Sequence, residues 1–205
     1  ESHGIHLKGK KGGALGEISN FSFYYAHHIT TIEGGMISTN SKQIDILAKM
    51  KRGHGLLRDS QDPKLIKKTK LKYKDLNSDF IFLTEGFNFR GNELSAVIGL
   101  EQIKRLNRNI KIRNDNHKLF LKNLRKDVFM SNFDLIGSSN YGLHLIMKEK
   151  NKIMFKKVTD TLSLNSIEYR IGSAGGGNQL RQPNLKNLRN KFNFKNLQNT
   201  EHMHF

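Results

Sequence analysis

Two adjacent histidines, His27 and His28, lie in the stretch FSFYYAHHITTIEGG, Phe21 to Gly35. An imidazole can take up and return a proton near neutrality, because its unperturbed pKa is close to 6.5. Ser22 brings a hydroxyl to the same stretch. The elements that must position these groups follow from the pattern. Phe21, Phe23 and Tyr25 alternate with Ser22 and Tyr24, which predicts a strand with the two sets on opposite faces. Thr30-Thr31-Ile32-Glu33-Gly34-Gly35 reads as a turn, and Met36-Ile37-Ser38-Thr39 as a second strand. Ser22 and the turn histidines would line a site while the phenylalanines pack behind it. Spacing alone favours the plainer reading, a hairpin whose histidines are merely exposed.

Composition narrows the classes. The chain has 205 residues, enough for one large domain or two small ones, and its 36% hydrophobic content is compatible with a packed core. It does not open on a methionine and closes on Phe205 without a final element, so a fragment of a longer protein is expected. It has no apolar run of about 18 residues and no signal-peptide pattern, so a cytoplasmic protein is expected. The absence of cysteine excludes disulfides and cysteine-ligated iron–sulfur clusters within these residues. Thirty-five basic against 18 acidic residues give a net charge of +17. Such an excess can serve nucleic acid, but the lysines are dispersed and no basic stretch alternates with aromatics as a stacking platform would. Lysine and asparagine are enriched together, which fits composition bias. The same positive field suits an anionic small substrate.

The chain then divides into recognisable elements. Residues 1–16 read as a glycine-rich loop. Ser41 can cap a helix running from Lys42 to about Gly53, with Ile44, Ile46, Leu47 and Met50 as its apolar stripe. Gly53 to Lys74 reads as one long charged loop, of a length that is usually functional or disordered. Asn92 can cap a long helix whose stripe is Ala96, Leu100, Ile103, Leu106 and Ile110, running to about Leu124. That stripe reads as core or dimer packing. Tyr141–Met147 reads as a strand, Asn151–Leu164 as a helix and Ile167–Ile171 as a strand, a small α/β arrangement. The run GSAGGGNQLRQP from Gly172 to Pro183 is weak evidence of phosphate binding by itself, because flexible glycine loops are common. The histidines of the terminal Glu201-His202-Met203-His204-Phe205 read as structural rather than metal-ligating.

Four of these strings, in order, resemble the DegT/DnrJ/EryC1/StrS family of pyridoxal-phosphate-dependent sugar aminotransferases. They are Glu1-Ser2-His3-Gly4, the Phe21–Gly35 stretch, the Arg52-Gly53-His54-Gly55 loop and EGFNFRGNELSAVIGLEQIKRL from Glu85. In that family the position of His27 is a lysine that forms a Schiff base with the cofactor. Histidine there, together with the GSAGGGNQLRQP string, resembles a subgroup of sugar 3-dehydratases. One related dehydratase carries a cysteine-ligated cluster, and this cysteine-free chain resembles the cluster-free kind.

The resemblance implies an α/β fold, a fragment of a fold-type I pyridoxal-phosphate-dependent aminotransferase. Residues 1–110 would close the large cofactor-binding domain, and residues 111–205 would form most of the small C-terminal α/β domain. It implies loss of the 3-hydroxyl from a nucleotide-linked 4-keto-6-deoxyhexose in deoxysugar and lipopolysaccharide biosynthesis. Pyridoxal or pyridoxamine 5'-phosphate would be the cofactor and glutamate the amino donor, with no iron–sulfur cluster. GDP-4-keto-6-deoxymannose is the substrate that similarity suggests. A sugar aminotransferase or a non-catalytic relative on the same fold is the alternative. By the same resemblance His27 moves protons, Ser22 holds the cofactor phosphate, and Asn88 reaches the phosphate bound by the other subunit of a homodimer. Arg58 and Arg90 are implied for the substrate diphosphate, where a planar guanidinium suits phosphate oxygens. His54 and Glu168 are implied for the sugar pocket. Ala26 and His28 depart from the family pattern, and His28 is given only a supporting role.

Overall fold

A computed structural model describes residues 2–172, 178–185 and 187. The chain divides into two compact units: Glu1–Lys122 with Phe133–Leu143, and Asn123–Asn132 with His144–Phe205. The division expected at residue 110 falls inside a continuous helix. The first unit instead runs on to Lys122 and takes back an eleven-residue segment, Phe133–Leu143.

The first unit opens with a short hairpin, β1 (His6–Leu7) against β2 (Lys10–Lys11). The second hairpin, β3 (Ile18–Ser22) and β4 (Gly35–Thr39), is antiparallel, with Phe21 opposite Met36 and Ser22 opposite Gly35. The expected alternation stops earlier than the sequence suggests. Phe23 still donates to Gly34 O at 2.8 Å, but the chain then leaves the sheet, and Tyr25 is 64% exposed. The intervening loop folds inward on His28, Ile29 and Thr31, all buried. Thr31 closes it, donating its N–H to Phe23 O at 2.9 Å and its hydroxyl to Glu33 O at 2.9 Å.

Helix α1 (Lys42–Arg52) starts where expected, with Ser41 Oγ accepting from Ile44 N, and buries Met50. The next segment is not one loop. A 3-10 turn over Leu57–Ser60 buries Leu57 and Ser60, and helix α2 covers Pro63–Lys72. Its start signal is local. Asp62 Oδ1 accepts from Leu65 N at 2.9 Å, and Pro63 takes a first-turn position that needs no N–H partner. Leu56, Leu57 and Ile81 join Met50 in the core of this unit.

Helix α3 (Glu93–Asn123) is the spine of the first unit. Asn92 caps it, accepting from Ser95 N at 2.8 Å. The packed face differs from the expected stripe: Leu106 and Ile110 are half-buried, but Ala96, Leu100 and Ile103 are exposed. Within the first unit, contact runs through the stripe residue Ile110, which leaves no room for a Cβ on Gly4, and through Gly99 outside the stripe, where a Cβ would sit 3.1 Å from Thr31 Cγ2.

Among its described residues, the second unit holds a short paired segment and one α-helix. Met130 donates to Ile146 O at 2.8 Å and Lys148 to Val128 O at 2.9 Å, around a single bridge between Phe129 and Met147. Phe129 is buried there. That bridge is all that exists of the strand expected over Tyr141–Met147. Residues 141–143 belong to the first unit, where side-chain contacts fix them instead of a ladder. Ile167–Ile171 forms no strand either, having no ladder partner among the described residues. Helix α4 (Lys152–Leu164) is as expected, with Asn151 accepting from Met154 N at 2.9 Å. Short 3-10 turns cover Gln179–Arg181 and Pro183–Leu185. Gly172 and Asn178–Pro183 of the glycine string are described; residues 173–177 between them and the histidines of the terminal segment lie outside the described residues.

Candidate active site

The loop between β3 and β4 places His27 in a tight turn, with its backbone N–H donating to Tyr24 O at 3.0 Å. The imidazole is half-buried between two phenol rings. Tyr24 meets it edge-on with centroids 5.8 Å apart, and Tyr141 does so at 6.1 Å and 71°. The imidazole therefore has a partly dehydrated, aromatic surround. Ser22 stands at the end of β3, half-buried, and its Oγ accepts from Tyr24 N at 3.3 Å. That bond uses a lone pair of the hydroxyl, so the O–H remains a donor for an anion.

Behind the turn lies a buried polar layer. His28 Nε2 is 3.1 Å from Asn140 O and 3.3 Å from Ser139 Oγ, and Ser139 Oγ also donates to His3 O at 2.6 Å. The Tyr141 hydroxyl donates to Ala26 O at 2.8 Å. Asn114 and Arg113 of α3 hold the same segment. Asn114 Nδ2 donates to Ser138 O, Asn114 Oδ1 accepts from Asn140 N, and Arg113 Nη1 donates to Tyr141 O at 3.1 Å. His3 is 6% exposed and packs between the rings of Phe21 and Phe23. Neither of its ring nitrogens has a hydrogen-bond partner among the described residues. Burial above all, with the neighbouring His28 and His27, lowers its pKa to about 4. His3 is therefore neutral at pH 7.

A second cluster of the first unit gathers four of the other candidates. Residues 51–54 and 87–89 run side by side: Phe87 N donates to Lys51 O at 2.6 Å, Phe89 N to Arg52 O at 2.9 Å and His54 N to Phe87 O at 2.8 Å. This ladder holds His54, exposed and left-handed at φ 64°, next to exposed Asn88. Gly55 follows at φ 84°, its Cα so close to the 84–85 backbone that a Cβ would lie 1.7 Å from Thr84 O. Arg90 Nη2 bonds Asp59 Oδ2 at 2.9 Å. Arg58 lies over the Phe80 ring at 5.0 Å and donates to Asp79 O at 3.2 Å. Both guanidiniums are thus oriented by neighbours. The cluster leads into the first turn of α3, whose Gly99 rests against Thr31 of the His27 loop. Glu168 is exposed and belongs to the second unit.

Asp59, Ser139, Asn140 and Tyr141 are not visible as site residues in the sequence. Asp59 sits in a charged stretch with nothing to single it out. The other three act across more than 100 residues of chain, a separation that no local pattern reports.

The donor set fits pyridoxal phosphate without a covalent tether. A serine hydroxyl stands at a strand end for the phosphate, an imidazole stands in the turn, and no lysine occurs between Gly12 and Ser41.

Comparison with known proteins identifies the family and the fold. Residues 1–180 match the DegT/DnrJ/EryC1/StrS aminotransferase family. The chain is 34% identical over 172 residues to the GDP-4-keto-6-deoxy-D-mannose 3-dehydratase of Escherichia coli O55:H7, covering 83% of this chain and 44% of that protein. It is 31% identical over 171 residues to the enzyme of the same name from Yersinia pseudotuberculosis, covering 83% and 43%. A solved structure of the E. coli GDP-4-keto-6-deoxy-D-mannose 3-dehydratase with bound hydrated pyridoxal phosphate superposes with a TM-score of 0.78 at 28% identity. That match covers 98% of this chain and 51% of the other. The chain therefore spans about half the length of the relatives it matches.

Proposed function

Because the chain belongs to the DegT/DnrJ/EryC1/StrS aminotransferase family, we propose that its protein is a glutamate- and pyridoxal-phosphate-dependent 3-dehydratase of a nucleotide-linked 4-keto-6-deoxyhexose. The observation that carries this reading is His27, at the position where the family has lysine, in a stretch with no lysine between Gly12 and Ser41. GDP-4-keto-6-deoxymannose is the proposed substrate, on the names of the relatives, and deoxysugar and lipopolysaccharide synthesis the proposed context.

When bound, the cofactor supplies an amino group taken from glutamate and an electron sink for the carbon that bears it. The chain supplies the rest. Ser22 donates its hydroxyl to the phosphate. With the cofactor bound, His27 would take the proton from the amine-bearing carbon and return a proton to the departing 3-hydroxyl, which would leave as water. Tyr24 and Tyr141 flank the imidazole edge-on and leave it half-buried. A lysine could also displace a product covalently and release an aminated sugar, whereas an imidazole forms no stable Schiff base. Retaining a base while losing the tether turns an aminotransferase scaffold toward elimination.

Asn88, exposed on its ladder, is assigned to the phosphate of a second subunit, giving a homodimer with composite sites. Arg58 and Arg90 are assigned to the substrate diphosphate, with Arg90 oriented by Asp59. His54 and Glu168 are assigned to the sugar pocket.

Borohydride trapping separates this reading from an aminotransferase. The complete protein, incubated with pyridoxal phosphate, reduced and denatured, should show no covalent cofactor by mass spectrometry, and the His27→Lys variant should show one equivalent. An adduct on the unsubstituted protein would restore the aminotransferase reading.

A further inference from the structure

We propose that Tyr141 is a positioning residue for His27. The proposal rests on the assignment of His27 to proton transfer. Three contacts converge on it. The phenol hydroxyl donates to Ala26 O, the carbonyl of the peptide that leads into His27, at 2.8 Å. The ring meets the His27 imidazole edge-on, centroids 6.1 Å apart and planes at 71°. The same ring lies 5.6 Å from that of His28, so both histidines turn against one aromatic surface.

Tyr141 is itself fixed from the opposite side. Arg113 donates to its carbonyl at 3.1 Å and sets its guanidinium 5.9 Å from the ring. Asn114, one residue on along α3, holds both Ser138 and Asn140. Residues 138–141 therefore act as a clasp between the long helix and the histidine loop. A turn outside the sheet has few backbone bonds to define it, and side-chain rotation within it is limited by packing and second-sphere hydrogen bonds. For an imidazole that must serve first one atom and then another, a displacement of about 1 Å costs up to about a hundredfold in rate.

The clasp is also the segment by which the chain returns to the first unit, since the residues on both sides of Phe133–Leu143 belong to the second unit.

The test uses the complete protein and the conservative variant Tyr141→Phe, which keeps the ring and removes only the hydroxyl. Glutamate-driven conversion of bound pyridoxal phosphate to pyridoxamine phosphate is followed by absorbance. Tyr141→Phe is expected to lower this rate constant about tenfold, with the cofactor dissociation constant changed less than twofold. In a His27→Ala background the same substitution is expected to change the residual rate less than twofold, because Tyr141 acts through His27. Equal losses in both backgrounds would assign Tyr141 a general structural role and overturn the proposal, as would an unchanged rate in the single variant. Hydrogen exchange of the cofactor-free protein gives a readout independent of activity. The His27 amide should exchange at least fivefold faster in Tyr141→Phe, with the α1 amides unaffected. If the unsubstituted protein fails to convert the cofactor with glutamate, the functional reading fails, and the exchange result still decides the clasp: unchanged His27 exchange overturns it.

Discussion

At the scale of single residues, His3 shows how the site's back wall is tuned. A buried imidazole between Phe21 and Phe23, with no partner for either nitrogen among the described residues, is stable only when neutral. Its folded pKa of about 4 lies below the ordinary 6.5. Between these values the unfolded chain holds a proton that the folded chain does not, so stability falls as pH drops from about 6.5 to about 4 and is unaffected by His3 above that window. Urea unfolding at pH 7.5 and pH 4.5 should show this loss, and His3→Phe should make it smaller. Equal losses in the two proteins would show that other groups carry the acid sensitivity. His27 and Ser22 stand out in the sequence because adjacent histidines and an alternating aromatic run are local signals, and it is the family resemblance, not the spacing, that assigns them to a site. The roles of Ser139 and Tyr141 are not legible there, because their partners, His28 and Ala26, are 111 and 115 positions away.

At the scale of elements, the ladder between residues 51–54 and 87–89 organises the second cluster, and its tightest point is Gly55. A side chain there meets both a left-handed backbone and the Thr84 carbonyl. Gly55→Ala should destabilise the protein by about 2–4 kcal/mol, read from the urea midpoint, through conformational strain and displaced backbone together. A loss under about 0.5 kcal/mol would mean that the ladder relaxes freely. Elements with strong end signals were legible: Ser41, Asn92 and Asn151 each cap a helix. Helix α2 escaped notice although Asp62-Pro63 announces it, because its lysines read as a solvated loop. The strands expected at 141–147 and 167–171 failed for the opposite reason. Apolar runs of that length suit a strand but do not supply a partner to pair with. Of the stripe on α3, Leu106 and Ile110 are half-buried and Ile110 packs on Gly4, while Gly99 rather than Leu100 faces the histidine loop.

At the scale of the whole molecule, extensive apolar surface remains on this chain: Phe87, Phe89, Leu94, Leu100 and Ile103 are all more than half exposed. Surface of this kind is normally covered by further structure or by a partner. The proposed homodimer makes a quantitative prediction. If Asn88 of one subunit completes the site of the other, His27→Asn and Asn88→Ala chains, each inactive alone, should regenerate one intact site per heterodimer. Random assembly of equal amounts should then recover about a quarter of the unsubstituted activity. No recovery would place Asn88 in the same site as His27 of its own chain. The central claim, that replacing the tethering lysine by His27 turns an aminotransferase fold to elimination, is tested most directly by following nitrogen. The complete protein should be given pyridoxal phosphate, 15N-glutamate and GDP-4-keto-6-deoxymannose, and the label located by mass spectrometry. The account predicts 15N-ammonia and an unlabelled sugar that has lost its 3-hydroxyl. Label retained on a sugar that keeps its 3-hydroxyl would contradict it.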